Sequence, residues 1–314
     1  MVGVLVRRVI TLAPLLVIIS LVSFLLLKLV PGDPAVAIAG PDASAQLIEQ
    51  TRTRLGLDRS LFAQYADYLG NLLRGDLGQS LSSGLPVWTP ISERLGVTLS
   101  LTFLAIGIAV VIGVPIGLIA GARPGGAFDR IATVGSSFGI AMPHFWLGAI
   151  FISLFADQLW LLPQSGYVPL LEDPLGWAEH LVLPASALAA ATVSEIARQT
   201  RAAVGNALEE GYVRTALGKG LTTTQVLFGH VLKNVAIPVV TVLGLQIGRV
   251  FGGSVVVEVI FNLHGLGELT VTSVARRDMP MVQGILMISA VIVLLANLVV
   301  DLSYRWLDPK LREA

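Results

Sequence analysis

Long apolar runs limit what this chain can fold into. Val9–Val30, Gly96–Ala122, Ile131–Ala156, Val235–Val257 and Met279–Val300 each reach the length of about 20 mostly apolar residues that carries a helix across a bilayer. His180–Ile196 is a sixth, shorter run and contains Pro184. Hydrocarbon gives the backbone no hydrogen-bond partner, so runs this long settle as helices. Charged residues make up 13% of the chain, about half their usual share in a soluble domain. Mean hydropathy is +0.78. The expected fold is an all-α membrane protein. It has about six transmembrane helices, a polar cytoplasmic helix–turn–helix between two of them and a helical extracytoplasmic segment after the first span.

Basic and acidic residues balance at 21 each, which gives no sign of nucleic-acid binding. Cysteine is absent, excluding disulfides, thiolate zinc and cysteine nucleophiles. Twelve of the 21 basic residues collect on one side of the spans. Arg7 and Arg8 precede the first run, Arg123 and Arg130 follow the second, and Arg305, Lys310 and Arg312 follow the last. Arg198, Arg201, Arg214, Lys219 and Lys233 share that side, while Leu159–Glu179 opposite holds acids and no Lys or Arg. By the positive-inside rule both termini are cytoplasmic. Val9–Val30 exceeds the about 7–15 apolar residues of a signal peptide, so cleavage after Ala37-Ile38-Ala39 is the weaker reading.

Pro31–Arg94 is mostly polar. Pro31-Gly-Asp-Pro34 cannot continue a helix and marks the exit from the membrane. Leu47, Leu55, Leu61, Tyr65, Tyr68, Leu69 and Leu72 then recur at rough helical spacing. The segment either caps the helix bundle or docks a soluble partner.

The longest hydrophilic passage runs from Glu195 to Pro238. Leu208–Lys219 reads as a helix with Gly218 and Gly220 near its end, where a glycine cap is expected. Thr222 and Gln225 have the spacing of a capping box. The helix they open runs through Val226, Leu227, Val231 and Val235 to Pro238 and the fifth span. Gly220-Leu221-Thr222 is then a short, firmly shaped projection, which can transmit a displacement that a floppy loop would absorb. Gly220 is expected to need a backbone conformation or a close approach that bulky residues disfavour. An amphipathic loop lying on lipid is the alternative.

No Gly-x-x-x-x-Gly-Lys-Ser/Thr phosphate loop occurs in the sequence. His144, His180, His230 and His264 are scattered without metal-ligand spacing, and no Ser/His/Asp set is evident. An arginine inside a membrane costs at least about 2.5 kcal/mol and faces water or a partner. Gln246 and Arg249 lie about one turn apart on a common helix face. Both are assigned to a translocation pathway, with pairing between subunits as the alternative. Glu258 points roughly opposite and is assigned to the same pathway, at its outer mouth. His144, Asn297 and Asp301 are read as packing residues.

Many short motifs then occur in register: Pro31-Gly-Asp-Pro34, Leu55-Gly-Leu-Asp58, Gly75-Asp-Leu-Gly-Gln-Ser80, Met142-Pro-His-Phe-Trp-Leu-Gly148, Tyr212-Val-Arg-Thr-Ala216, Phe261-Asn-Leu-His-Gly-Leu-Gly267 and Leu307-Asp-Pro-Lys310. Over essentially its whole length the chain resembles the B-type permease subunits of the dipeptide/oligopeptide/nickel ABC transporter family. Gly96 and Ser60 depart from it, standing where proline is common. The general importer pattern of Glu-Ala-Ala followed by glycine falls on Arg214-Thr215-Ala216 and Gly220, with arginine in the acidic place.

The resemblance implies a first span with an extracytoplasmic segment at 1–95 and a five-helix transport domain at 96–314. Within the latter, residues 203–235 form a coupling loop. Tyr212, Arg214, Thr215, Ala216, Lys219, Gly220 and Leu221 would face an ATPase. It also implies the partners: a second homologous permease subunit, two ABC ATPase subunits or domains, and an extracytoplasmic substrate-binding protein. This chain would bind no cofactor, with ATP and Mg held by the ATPase. The expected activity is import of di- or oligopeptides through the cytoplasmic membrane of a prokaryote. Nickel, a small chelate or a glutathione-like solute is the alternative within the family, and a secondary transporter is the alternative outside it.

Overall fold

The computed structural model describes residues 2–29, 33–40 and 43–307. Pro31, Gly32, Lys310 and Arg312, which the sequence reading used, lie outside them. All the regular elements among the described residues are helices, apart from one isolated antiparallel bridge between Gln79 and Pro86. The chain divides into two compact units. One joins residues 1–94 to 269–294, and the other joins 95–268 to 295–314. One boundary between the units falls between residues 94 and 95, and residues 269–294 belong with the first unit.

In the first unit α1 (Val2–Leu29) continues through Pro14. Three short helices follow: α2 (Pro34–Ala39), α3 (Ala45–Arg54) and α4 (Leu61–Leu73). Each is opened by a side-chain cap, from Asp33, Ser44 and Ser60 in turn. Ser60, one of the departures from the family pattern, thus supplies the hydrogen bond that a proline could not. The Leu55-Gly-Leu-Asp motif makes the turn between α3 and α4, with Gly56 at φ +65°. α4 packs on α1 through Phe24, Tyr65 and Tyr68, whose ring centroids lie 5.5–6.4 Å apart.

The second unit is built around α8 (Pro174–Glu209), a 36-residue helix far longer than the expected run His180–Ile196. It passes through the buried Pro184 and carries the first part of the hydrophilic passage as regular helix. Its neighbours include α6 (Ala127–Ala141), α7 (His144–Phe151) and α11 (Leu232–Ile260). α5 (Trp88–Ala122) meets it along a stripe of glycines. A Cβ at Gly113, Gly117 or Gly121 would lie 2.5–2.8 Å from the carbonyls of Val193, Ala197 and Arg201. Without side chains there, two helix backbones can approach closely, the usual packing device in membranes.

The expected straight span Ile131–Ala156 is instead bent by 103° between α6 and α7. Met142 is extended, with φ −80° and ψ 127°, because Pro143 behind it disfavours the helical conformation. Beyond α7 the helix loosens into a π-helical turn, Ile152–Gln158.

Four helices of the described residues are long and apolar enough to cross a membrane: Trp88–Ala122, Pro174–Glu209, Val235–Ile260 and Met279–Ser303. The bent α6–α7 pair makes a fifth if it counts as one span. The described apolar stretch of α1, Leu12–Leu25, is shorter.

Candidate coupling and pathway sites

The hydrophilic passage folds into a compact knuckle. α8 ends where Glu210 turns to an extended conformation with ψ 146°. α9 (Gly211–Gly218) is therefore shorter than the predicted helix Leu208–Lys219. Gly220 follows at φ +86°. The Gly220 amide donates to Leu217 O at 2.9 Å and the Leu221 amide to Ala216 O at 3.3 Å, which is a Schellman closure. Nothing lies within 4 Å of where a Gly220 Cβ would stand. Of the two reasons expected for this glycine, the backbone conformation holds, and no close approach is made within the chain itself.

Thr222 and Gln225 do form the capping box. The Thr222 amide donates to Gln225 Oε1 at 2.9 Å, and the Gln225 amide donates to Thr222 Oγ1 at 3.3 Å. It opens α10 (Thr223–Val226), which widens into a π-helical turn, Leu227–Val231, before α11.

The predicted contact residues separate by face. Tyr212, Arg214, Thr215, Lys219 and Gly220 are exposed and Leu221 is half-buried. Ala216 is a correction. It is buried with Val213, Val226, Val231 and Val235 in one apolar cluster and holds the knuckle together from within.

The pathway residues also part company. Gln246 is buried within the chain, whereas Arg249 is exposed and has no side-chain partner among the described residues. Glu258 is a second correction, since it is fully buried and lines no mouth. It caps α12 (Leu266–Ala275), accepting from the amides of Gly267 at 2.7 Å and Glu268 at 3.1 Å. Thr98 Oγ1 donates to its other oxygen at 2.7 Å and accepts from the Leu266 amide at 2.8 Å. The glycines of Phe261-Asn-Leu-His-Gly-Leu-Gly make room for this. A Cβ at Gly265 or Gly267 would come within 2.8 Å of the Glu258 carboxylate.

Two further clusters escaped the sequence reading. Asp129 at the start of α6 is buried and takes both Nε and Nη2 of Arg201 on α8, while also accepting from the Gly125 amide at 2.8 Å. Arg201 had counted only as a basic residue marking the cytoplasmic side. The glycine stripe on α5 was legible as Gly-x-x-x-Gly-x-x-x-Gly, a spacing with a known physical meaning.

Comparison with known proteins places this arrangement. Residues 113–313 match the family described as binding-protein-dependent transport system inner membrane component, and residues 1–102 match its N-terminal companion. The chain belongs to that family. Among relatives of this inner membrane component, a putative peptide transport system permease protein of Brucella abortus (strain 2308) is 39% identical over 99% of both chains. The glutathione transport system permease protein GsiC of Escherichia coli (strain K12) is 41% identical over 98% of both chains. The inward-facing MetNI methionine ABC transporter shares the fold, with TM-score 0.55 at 17% identity over 70% of this chain and 96% of that one. The chain is thus a multi-pass ABC permease component.

Proposed function

We propose that the chain forms half of the translocation pathway of an ATP-driven importer for di- or oligopeptides in a prokaryotic cytoplasmic membrane. The observation that carries this reading is similarity over 99% of the chain to a protein named as a peptide transport permease. A second homologous permease completes the pathway, an extracytoplasmic binding protein delivers the substrate, and two ATPase subunits hold ATP and Mg. Both termini lie on the cytoplasmic side with the α9 knuckle. The knuckle meets the ATPase through Tyr212, Arg214, Thr215, Lys219, Gly220 and Leu221. Arg249 faces the water-filled pathway, which would account for a lone exposed guanidinium in a membrane helix.

Glutathione is the second reading, supported by relatives named as glutathione permeases at 41–42% identity. It is itself a short peptide derivative, so the two readings share one chemistry. The test reconstitutes the complete complex with each candidate binding protein and ATP inside proteoliposomes. Uptake of labelled dipeptides, longer peptides and glutathione is then compared. ATP-dependent uptake of a peptide class, altered by Arg249→Ala with assembly intact, is expected. ATP-dependent uptake by this chain alone would overturn the proposal.

A further inference from the structure

We propose that the groove between the α5–α6 connection and α10 binds an anionic phospholipid. The groove encloses about 750 Å³. Ile119, Phe128, Leu227 and Phe228 form apolar walls, and Arg123 is the one charged residue of its lining among the described residues. The walls are open, with Phe228 66%, Ile119 54% and Phe128 44% exposed.

Position argues for lipid. Ala122, the last residue of the membrane-crossing helix α5, lines the groove, and so does Leu232, the first residue of α11. The groove therefore opens where two membrane helices reach the bilayer surface, on the side marked by basic residues. Charge argues for an anionic headgroup. The acid closest in sequence, Asp129, does not neutralise Arg123, because its carboxylate is engaged by Arg201 and the Gly125 amide. A soluble phosphate would use Arg123 and leave the walls bare, and an apolar segment would use the walls and leave Arg123 unpaired. A phospholipid uses both, with its phosphate on Arg123 and an acyl chain along Leu227 and Phe228. Basic pockets between membrane helices favour anionic headgroups in this way. One wall is α10 with the π-helical turn after it, which together follow the Gly220 turn, so the lipid would brace the knuckle.

The assembled complex, in nanodiscs of phosphatidylcholine and phosphatidylglycerol, is labelled with photoactivatable forms of each lipid and the cross-linked peptides are mapped. Phosphatidylglycerol is expected to label residues 118–128 and 223–232 in preference to phosphatidylcholine. Arg123→Gln should lower that labelling about fivefold, the effect of about 1 kcal/mol per basic residue at a membrane surface. Arg123→Lys should retain it, and Arg74→Gln should leave it unchanged. Equal labelling by both lipids, or labelling indifferent to Arg123→Gln, would overturn the proposal. Labelling of the isolated chain that vanishes in the complete complex would assign the groove to a protein partner and overturn it equally.

Discussion

One hydroxyl joins three helices: Thr98 Oγ1 on α5 donates to Glu258 on α11 at 2.7 Å and accepts from the Leu266 amide of α12 at 2.8 Å. Glu258→Ala would strand the Gly267 and Glu268 amides and the Thr98 hydroxyl, at about 1–3 kcal/mol each. Gln retains the size and an acceptor. Thermal unfolding in detergent should show a large loss for Glu258→Ala and a smaller one for Glu258→Gln. Indistinguishable melting of wild type and Glu258→Ala would refute the capping role.

Asp278 ties the turn after Gly78 to the start of α13 (Met279–Leu307). Its carboxylate accepts from the Ser80 and Ser82 hydroxyls and from the amides of Leu81, Ser82 and Met281. Burial pushes its pKa up, but these hydrogen bonds outweigh burial and hold it below the ordinary carboxylate range. A depressed pKa contributes stability that is full above the unfolded value of about 3.9 and lost as pH falls through the folded value. Asp278→Asn should cost about 1–3 kcal/mol at neutral pH and narrow its deficit below about pH 4. Melting temperatures across that range check it, and a deficit independent of pH would contradict the linkage.

The α5–α8 contact predicts a cost for the smallest addition. A Cβ at Gly117 would stand 2.5 Å from Ala197 O, whereas one at Gly107 meets nothing within 4 Å. Gly117→Ala should destabilise by about 1–3 kcal/mol, the usual effect of overpacking. Gly107→Ala on the same helix should not. Denaturation of the two variants side by side separates packing from helix propensity.

Gly220→Val would place a β-branched residue at φ +86°, at a cost of about 1–2 kcal/mol or more. The knuckle should lose its shape, and the complex should lose ATPase retention or coupled uptake. Gly220→Asn, which tolerates the left-handed region, should be milder. Co-purification with the ATPase and uptake by the same preparations are the measurements. Normal values for both in Gly220→Val would sink the coupling assignment.

The Tyr68 hydroxyl is buried and finds no partner among the described residues. Burial, then the neighbouring Tyr65, pushes its pKa up to about 12. Tyr68→Phe removes a desolvated group and keeps the ring stack with Phe24. It should leave stability unchanged or raise it by up to about 1 kcal/mol. A substantial loss in a melting experiment would reveal a partner outside the described residues.

Some features follow from local physics, and the sequence reading captured them. Apolar length foretold four of the six expected membrane-length helices, the Thr222/Gln225 pair foretold the cap that opens α10, and glycine at position 220 foretold the turn. Each depends on neighbours in sequence, so spacing alone carries the information. Side-chain environment across helices does not. Gln246 and Arg249 share a face by spacing, yet one is buried and the other exposed, because burial depends on which helix lies opposite.

The sequence by itself therefore determined that this chain is an all-α membrane protein of an ABC permease family with a shaped polar knuckle. Only the tertiary structure decided that Ala216 is core, that Glu258 is a cap, and that Arg201 is held by Asp129 rather than only marking a membrane face. The physical reason is that the pairs Asp129–Arg201, Thr98–Glu258 and Ser80–Asp278 each link residues far apart in sequence. Their meaning comes into being when packing buries the carboxylate of each pair and brings its distant hydrogen-bonding partner to it.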